Sequence, residues 1–166
     1  RRSQIQSKPG QTHSGFTREK QGVEFGDVYT KIAKQEHLRY KLPNGYSVYG
    51  EIVGWGIQKG YLYNCGRDEH KFYVYDVMKD GKWLDYEVAL TFCKLYNIPT
   101  VPLLYVGPYT QDKVNEYLTV NAISNETAEG VVVGPQFERN SPSMGRVKLK
   151  YINPEYLMLK NNTEFQ

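Results

Sequence analysis

One run of seven residues, Lys71 to Val77, is aromatic or β-branched at five positions and constrains the fold more than any other segment. Side chains of this kind fit the half-buried surface of a pleated sheet. The run therefore predicts a strand, which the turn signal Lys79-Asp80-Gly81 ends. Tyr46 to Val53 predicts a second strand, and the Gly54-Trp55-Gly56 segment breaks it.

The other periodic segments predict an α+β fold with mostly antiparallel strands and helices on the outside. Helices are expected at residues 27–38, 85–96 and 110–118, with a last helical turn at 154–159, and further strands at 101–106, 129–133 and 146–152. Asp27 and Asp85 are expected to cap the first two helices. The side chains of the second helix that are expected to face the core are Val88, Leu90, Phe92 and Leu95.

The first part of the chain differs in composition from the rest. Residues 1–22 are polar, contain glycine and proline and show no periodicity, which predicts a loop or arm. Residues 23–166 are predicted to form a single domain. Residues 1–22 hold five basic residues and one acidic residue, and residues 146–160 hold four and one. Basic ends suit a polyanionic partner, and a solvated basic arm explains them equally well.

Composition also bears on metal binding and location. Cys65 and Cys93 form no close pair, and a structural zinc ion needs four ligands in close pairs. The sequence therefore predicts two reduced thiols in or near the core and no zinc. No apolar run is long enough to span a bilayer, and no signal peptide is visible. We expect a cytoplasmic protein with no membrane partner.

Two carboxylates flanked by glycine and a pair of lysines lie in segments predicted as strands. Glu51 is preceded by Gly50, and Glu129 opens the strand at 129–133. Lys148 and Lys150 share one face of the last strand because side chains alternate. Carboxylates hold hard divalent cations, and lysines neutralise phosphate oxygens during phosphoryl transfer. Each segment alone is ordinary turn or surface chemistry, but the set suits a triphosphate and its metal.

The order of these segments resembles the covalent nucleotidyltransferases, the superfamily of ATP-dependent ligases and capping enzymes. Tyr49–Gly54 resembles the third motif of that superfamily, and Phe72–Val77 resembles the strand motif that follows it. Glu129–Val133 resembles the fourth motif and Lys148–Lys150 the fifth.

Within that superfamily, the motif sequences are most similar to those of phage-type and bacterial RNA ligases, including those that seal nicks. The segments that carry this similarity are Gly50–Gly54, Gly56–Gly60, Ile98–Leu104, Lys150–Leu157 and Arg1-Arg2-Ser3, the last resembling a Ser-Arg element. The resemblance implies an ATP-grasp-like adenylation domain that uses ATP with Mg²⁺ or Mn²⁺. The same motif sequences fit a phage or viral origin.

The resemblance implies roles in binding the nucleotide. Glu51 would contact the ribose or the metal side of ATP. Tyr75 would stack on adenine, and Tyr73 would do so instead if the alignment with the family motif is shifted by one pair of residues. Arg1 would contact phosphate.

It also implies a catalytic set of Lys150, Lys148 and Glu129. Glu129, together with Glu51, would place the divalent cation. Either lysine would bind the α-phosphate of ATP, and Lys150 is the better match.

The implied reaction joins RNA 3′-hydroxyl and 5′-phosphate ends, in nicked or duplex RNA, through lysyl-AMP and AMP-RNA intermediates. The family's nucleophilic lysine lies in a Lys-x-x-x-Gly or Lys-x-x-Gly-type motif before the Ser-Arg element, and this sequence contains no Lys-x-x-Gly. Lys41 to Gly45 does not have the spacing of the usual form, and it follows the first predicted helix, which is out of order. We therefore expect a fragment that begins after this motif and forms no lysyl-adenylate by itself. The alternatives are a DNA ligase or capping-type enzyme and a non-catalytic remnant that binds nucleotides or nucleic acid.

Overall fold

The chain divides into two units in the computed structural model, and each unit is discontinuous in sequence. Unit 1 comprises Arg1–Val53 and Glu69–Val101, and unit 2 comprises Gly54–Asp68 and Pro102–Gln166. The residues that the structure describes are 2–6, 28–58, 60–143 and 145–164, with the backbone alone for 2–6 and 160–164. The single domain expected over residues 23–166 stays a prediction.

Unit 1 contains a four-stranded sheet in the order β1-β2-β3-β4. Its strands are β1 (Arg2–Gln6), β2 (Tyr46–Gly54), β3 (His70–Lys79) and β4 (Lys82–Trp83). The strands predicted at residues 46–53 and 71–77 are therefore confirmed, with ends extended by one or two residues.

Residues 2–6 form a strand, so the loop predicted over residues 1–22 is wrong at these positions. β1 pairs antiparallel with β2, and Arg2 lies opposite Glu51 in the register. A strand at the edge of a sheet needs only backbone groups for its pairing, and a polar edge strand shows no hydrophobic alternation. The sequence pattern therefore carried no signal for it. Residues 7–22 lie outside the described residues.

In the described part of unit 1 there are three helices: α1 (Val28–Gln35), α2 (Leu38–Lys41) and α3 (Tyr86–Leu95). The predicted helix over residues 27–38 ends at Gln35, because His37 adopts a left-handed backbone conformation with φ of 53°. Ile32 of α1 and Leu38 of α2 are completely buried. Asp27, the predicted cap, lies outside the described residues.

The helix α3 faces β3 through Tyr86, Ala89, Leu90 and Cys93, which line a small cavity together with residues of β3. Their spacing is that of one helix face. Val88 and Leu95 lie off this face and are 53% and 76% exposed, so their predicted core positions are wrong. The predicted capping bond is also absent, because Asp85 occupies the N-cap position but its side chain makes no capping hydrogen bond.

The described residues of unit 2 form two helices and two small antiparallel sheets. Its elements are α4 (Gln111–Tyr117), β5 (Gly130–Val133), β6 (Asn140–Ser141), β7 (Gly145–Arg146), β8 (Leu149–Ile152) and α5 (Pro154–Glu164). β5 pairs with β8, and β6 pairs with β7. The predicted helix over residues 110–118 is confirmed, and the Oγ1 of Thr110 accepts a hydrogen bond from the backbone N–H of Lys113 at 3.2 Å.

Two predicted strands differ from the structure. The strand expected at residues 146–152 is divided, because Arg146 is held in β7 by two hydrogen bonds to the Glu138 carboxylate, of 2.6 and 2.8 Å. The strand expected at residues 101–106 is wrong, because these residues form no strand. Thr100, just before them, makes an isolated parallel bridge with Val74, beside which Val101 donates to the Val74 carbonyl. Pro102 has no N–H with which to continue the ladder.

Cys65 and Cys93 are both buried free thiols, as predicted. Burial raises the pKa of the Cys93 thiol to about 11.

Among the helices in the described ranges, none combines the length and the apolar character that crossing a membrane requires.

Gly50 lies at a close approach of β2 to β3. A Cβ atom at this position would overlap the Phe72 ring and the carbonyl oxygen of Tyr73. The Phe72 side chain is buried and therefore has little freedom to move away. The glycine that precedes Glu51 is thus a packing requirement of this sheet.

We expect Gly50→Ala to lower the free energy of unfolding by about 3 kcal/mol, the upper range for overpacked sites. Gly81→Ala is the control, because Gly81 has a φ of +80° but open space around its Cβ position. It should cost only the left-handed backbone strain of about 1 kcal/mol. Urea denaturation of both variants measures the difference, and equal losses would contradict the packing role of Gly50.

Candidate functional site

Gly130 fixes the start of β5 against β8. Its φ is +143°, a conformation that side-chain-bearing residues rarely adopt, and a Cβ atom would overlap the carbonyl oxygen of Tyr151 and crowd the Cα of Ile152. The register pairs Gly130 with Ile152. Glycine is therefore required after Glu129 by the backbone of the opposing strand.

The main chain of Glu129 is held by Asn153, which is almost completely buried. The backbone N–H of Asn153 donates to the carbonyl of Glu129 at 3.0 Å, and its Nδ2 donates to the carbonyl of Ala128 at 2.9 Å. Its Oδ1 accepts from the backbone N–H of Glu155 at 3.1 Å, so Asn153 also caps α5. Pro154 at the first helical position suits this cap, because it needs no N–H there.

The side chain of Glu129 is held by Tyr63. The Tyr63 hydroxyl donates a short hydrogen bond to Oε1 of Glu129. Tyr63 is 7% exposed, and its pKa is raised well above its usual range by burial and then by the bond to Glu129. Sequence reasoning missed Tyr63, because the two residues are 66 positions apart and nothing in the pattern of tyrosines distinguishes this one.

The two lysines predicted to bind phosphate lie at and just before β8. Lys150 is exposed, and no described residue makes a hydrogen bond or ion pair with its ammonium group. Lys148 is half-buried and is engaged in an interaction within the protein. Its side chain lies against Gly134, since a Cβ there would be 3.2 to 3.3 Å from Cδ, Cε and Nζ of Lys148. Lys150 is therefore the more available charge.

Val132 lies directly opposite Lys150 in the β5–β8 register, so the two side chains share one face. Val132 is 65% exposed, and Ile152, two residues beyond Lys150 on the same face, is also exposed. This face therefore combines an ammonium group with apolar surface. The sequence predicted a strand at residues 129–133 but gave no indication that Val132 is exposed.

Unit 1 holds the other predicted site residues. Glu51 is exposed on β2, between the buried Gly50 and Ile52. Tyr73 and Tyr75 are half-buried and alternate with the buried Phe72 and Val74, so both tyrosines lie on the opposite face of β3. The choice between them as the predicted stacking residue therefore stays open.

The phosphate contact predicted for Arg1 lies outside the described residues. In the backbone register, the neighbouring Arg2 lies opposite Glu51. The strand β1 therefore runs beside the part of β2 that carries Glu51, within unit 1. Glu129, Lys148 and Lys150 all belong to unit 2. The predicted catalytic residues therefore belong to one unit, whereas the two predicted metal ligands, Glu51 and Glu129, belong to different units.

The donor set for a divalent cation consists of carboxylates that need further ligands. No group of three or more His, Cys, Asp or Glu side chains suited to a metal occurs among the described residues. Mg²⁺ is commonly held by one or two carboxylates together with phosphate oxygens and water, rather than by a cage of protein ligands. A single carboxylate held by a hydrogen bond, as Glu129 is, fits a cation that arrives with a nucleotide.

Comparison with protein families shows a match over most of the chain. The family described as RNA ligase matches residues 2–152. No curated protein sequence matches the chain.

Solved structures of an RNA ligase from Naegleria gruberi share the fold of this chain. A lysine-to-alanine variant of that ligase with ATP and Mn has 20% sequence identity and a TM-score of 0.61, covering 78% of this chain and 39% of the ligase. The same ligase with pyrophosphate has 20% identity and a TM-score of 0.63, covering 80% and 40%. The chain therefore spans about 40% of the length of those ligases. The similarity supports the predicted α+β nucleotidyltransferase fold.

We expect Gly130→Ala to destabilise unit 2 strongly, because it adds both backbone strain and overlap with Tyr151. Gly56→Ala is the matched control, since Gly56 has a φ of +69° but nothing within 4 Å of its Cβ position. The control should cost about 1 kcal/mol, and Gly130→Ala at least about 3 kcal/mol. Hydrogen exchange of the Lys150–Ile152 amides, measured with thermal unfolding, should show faster exchange in Gly130→Ala alone. Unchanged protection in that variant would contradict the close approach.

Proposed function

The chain belongs to the RNA ligase family, and on this premise we propose that it is the nucleotide-binding part of an ATP-dependent RNA ligase. The observation that carries the proposal is the β5–β8 ladder, which begins beside Glu129 and presents Lys150 opposite Val132. A carboxylate for a divalent cation and an exposed ammonium group for phosphate are the groups that phosphoryl transfer needs.

Lys150 and Lys148 are the residues proposed to neutralise the phosphates of ATP. Lys150 binds the α-phosphate and neutralises charge that develops there, which is where such a contact accelerates the reaction most. Lys148, which lies beside Gly134, adds positive charge for the phosphate. Val132 offers apolar surface next to Lys150.

The contacts proposed for the nucleoside follow the family resemblance. Tyr75 stacks on adenine, and Tyr73 is the alternative on the same face of β3. Glu51, exposed on β2, accepts hydrogen bonds from the ribose or contributes to the metal. Arg1 is proposed to contact phosphate on the family resemblance alone.

The proposed cofactors are ATP and Mg²⁺ or Mn²⁺. A bound divalent cation polarises phosphate oxygens and offsets their charge during transfer. Glu129 holds it through the carboxylate that Tyr63 orients, and Glu51 is the second proposed ligand. The Naegleria gruberi variants with ATP and Mn are consistent with this choice.

The proposed reaction joins a 3′-hydroxyl to a 5′-phosphate through lysyl-AMP and AMP-RNA. Each step is an in-line phosphoryl transfer, for which positioning and charge neutralisation do most of the work. The nucleophilic lysine is not assigned to any residue of this chain. Nicked or duplex RNA is the proposed substrate, and competition between nicked RNA and nicked DNA distinguishes it from a DNA substrate. A cytoplasmic location stays a prediction.

We expect Tyr75→Ala to weaken ATP binding by about 1–3 kcal/mol, the usual contribution of base–aromatic stacking. Tyr73→Ala is a matched control, because Tyr73 lies on the same face of β3 and is also half-buried. Isothermal titration calorimetry with ATP compares the two variants with the parent chain. A loss of ATP affinity in Tyr73→Ala alone would assign the stacking role to Tyr73 instead of Tyr75. If both variants bind ATP with the parent affinity, neither tyrosine of β3 stacks on adenine.

We expect Lys150→Ala to slow adenylyl transfer more than it weakens ATP binding, because the ammonium group acts where charge develops. Lys150→Arg should restore only part of the rate, because a planar fork replaces a compact charge. Single-turnover ligation of nicked duplex RNA by the full-length protein measures the chemical step. Ligation by Lys150→Ala at the parent rate would remove Lys150 from the catalytic set.

A further inference from the structure

The turn that carries Tyr63 adopts an unfavourable backbone conformation. Tyr63 and Asn64 are consecutive residues with φ values of 51° and 56°. Left-handed conformations are uncommon for residues other than glycine, and they persist where surrounding contacts determine them. Such strain often accompanies a functional constraint on the side chain that the turn presents.

The carboxylate of Glu126 holds this turn in place. Its Oε1 accepts from the backbone N–H of Leu62 at 2.6 Å, and its Oε2 accepts from the backbone N–H of Tyr63 at 2.9 Å. Burial by itself would raise the pKa of the Glu126 carboxyl, but these bonds and one from the Ser124 hydroxyl hold it below the usual range. Glu126 is therefore charged near neutral pH and binds the turn as an ionised acceptor.

The segment that carries Glu126 is itself organised by short-range hydrogen bonds. Oδ1 of Asn121 accepts from the backbone N–H groups of Ile123 and Ser124, both at 3.0 Å. The carbonyl of Ile123 accepts from Nδ2 of Asn64 at 2.8 Å, which is a second tie to the strained turn. The turn and this segment thus hold each other.

The strained turn delivers one hydroxyl group to Glu129. Tyr63 is buried, and its hydroxyl donates to Oε1 of Glu129, while Asn153 fixes the backbone of the same glutamate. No described residue donates to the second carboxylate oxygen of Glu129.

We propose that Tyr63 is a positioning residue that fixes the direction of the Glu129 carboxylate, and that Glu126 clamps the strained turn that presents Tyr63. The proposal rests on the function proposed above, in which Glu129 contacts the divalent cation that accompanies ATP. Fixing the carboxylate before the cation binds removes the cost of ordering it during binding. Tyr63 itself touches neither the cation nor the nucleotide.

The test is the gain in ATP affinity that Mn²⁺ produces, measured by calorimetry with Mn²⁺ and with EDTA. Tyr63→Phe removes the hydroxyl alone, and we expect it to reduce this gain by about tenfold, as loss of an outer-shell partner does. ATP affinity in EDTA should stay at the parent value. Tyr61→Phe is the matched control, because the Tyr61 hydroxyl is close enough to Glu129 to feel its charge but makes no hydrogen bond to its carboxylate.

A double variant separates positioning from general stability. In Glu129→Ala the Mn²⁺-dependent gain should already be lost, and adding Tyr63→Phe should change nothing further. Glu126→Gln, which replaces the acceptor carboxylate by an amide, should reduce the gain in the same direction as Tyr63→Phe. Thermal unfolding of each variant confirms that the protein is folded.

The outcomes distinguish failure of this inference from failure of the proposed function. If Tyr63→Phe keeps the full Mn²⁺-dependent gain of the parent, or loses ATP affinity equally with Mn²⁺ and EDTA, Tyr63 does not position Glu129. If the parent shows no Mn²⁺-dependent gain, or Glu129→Ala retains it, the metal role of Glu129 is wrong and the positioning role falls with it.

Discussion

The close backbone approach between Gly130 and Tyr151 is the constraint on which the charged part of the site depends. It allows β5 and β8 to pair in a register that sets Val132 opposite Lys150. Asn153 then ties the end of β8 back to Glu129 and starts α5. A single Cβ at Gly130 would separate the strands, so the position of the lysine and that of the carboxylate follow from one glycine.

Several residues in the segments that resemble the family motifs have structural roles. Gly50 is required by the Phe72 ring, Gly130 by the Tyr151 carbonyl, and Asn153 by the cap of α5. Their side chains, or their lack of one, hold the backbone that presents Glu51 and Glu129. A motif of this kind therefore combines residues that act on a ligand with residues that keep the strand beneath them in place.

The long aromatic strand β3, the strand β2 and the helix α4 were predictable, because each carries a strong periodic or capping signal within a few residues. The strand β1 and the division of residues 146–152 were not, since they depend on edge pairing and on the Arg146–Glu138 ion pair. The candidate carboxylates and lysines followed from motif order. Tyr63 did not, because its partner is distant in sequence and its turn is held by Glu126 through the backbone.

Hydrogen exchange of the chain with and without ATP and Mn²⁺ tests the central claim most directly, because it reports on each unit separately. The account predicts slower exchange at residues 129–133 and 148–152 of unit 2 and at residues 49–53 and 73–76 of unit 1. Residues 111–117 in α4 should exchange at the same rate in both conditions. Unchanged exchange in all of these segments at saturating ATP and Mn²⁺ would contradict the assignment of this chain as a nucleotide-binding part of an RNA ligase.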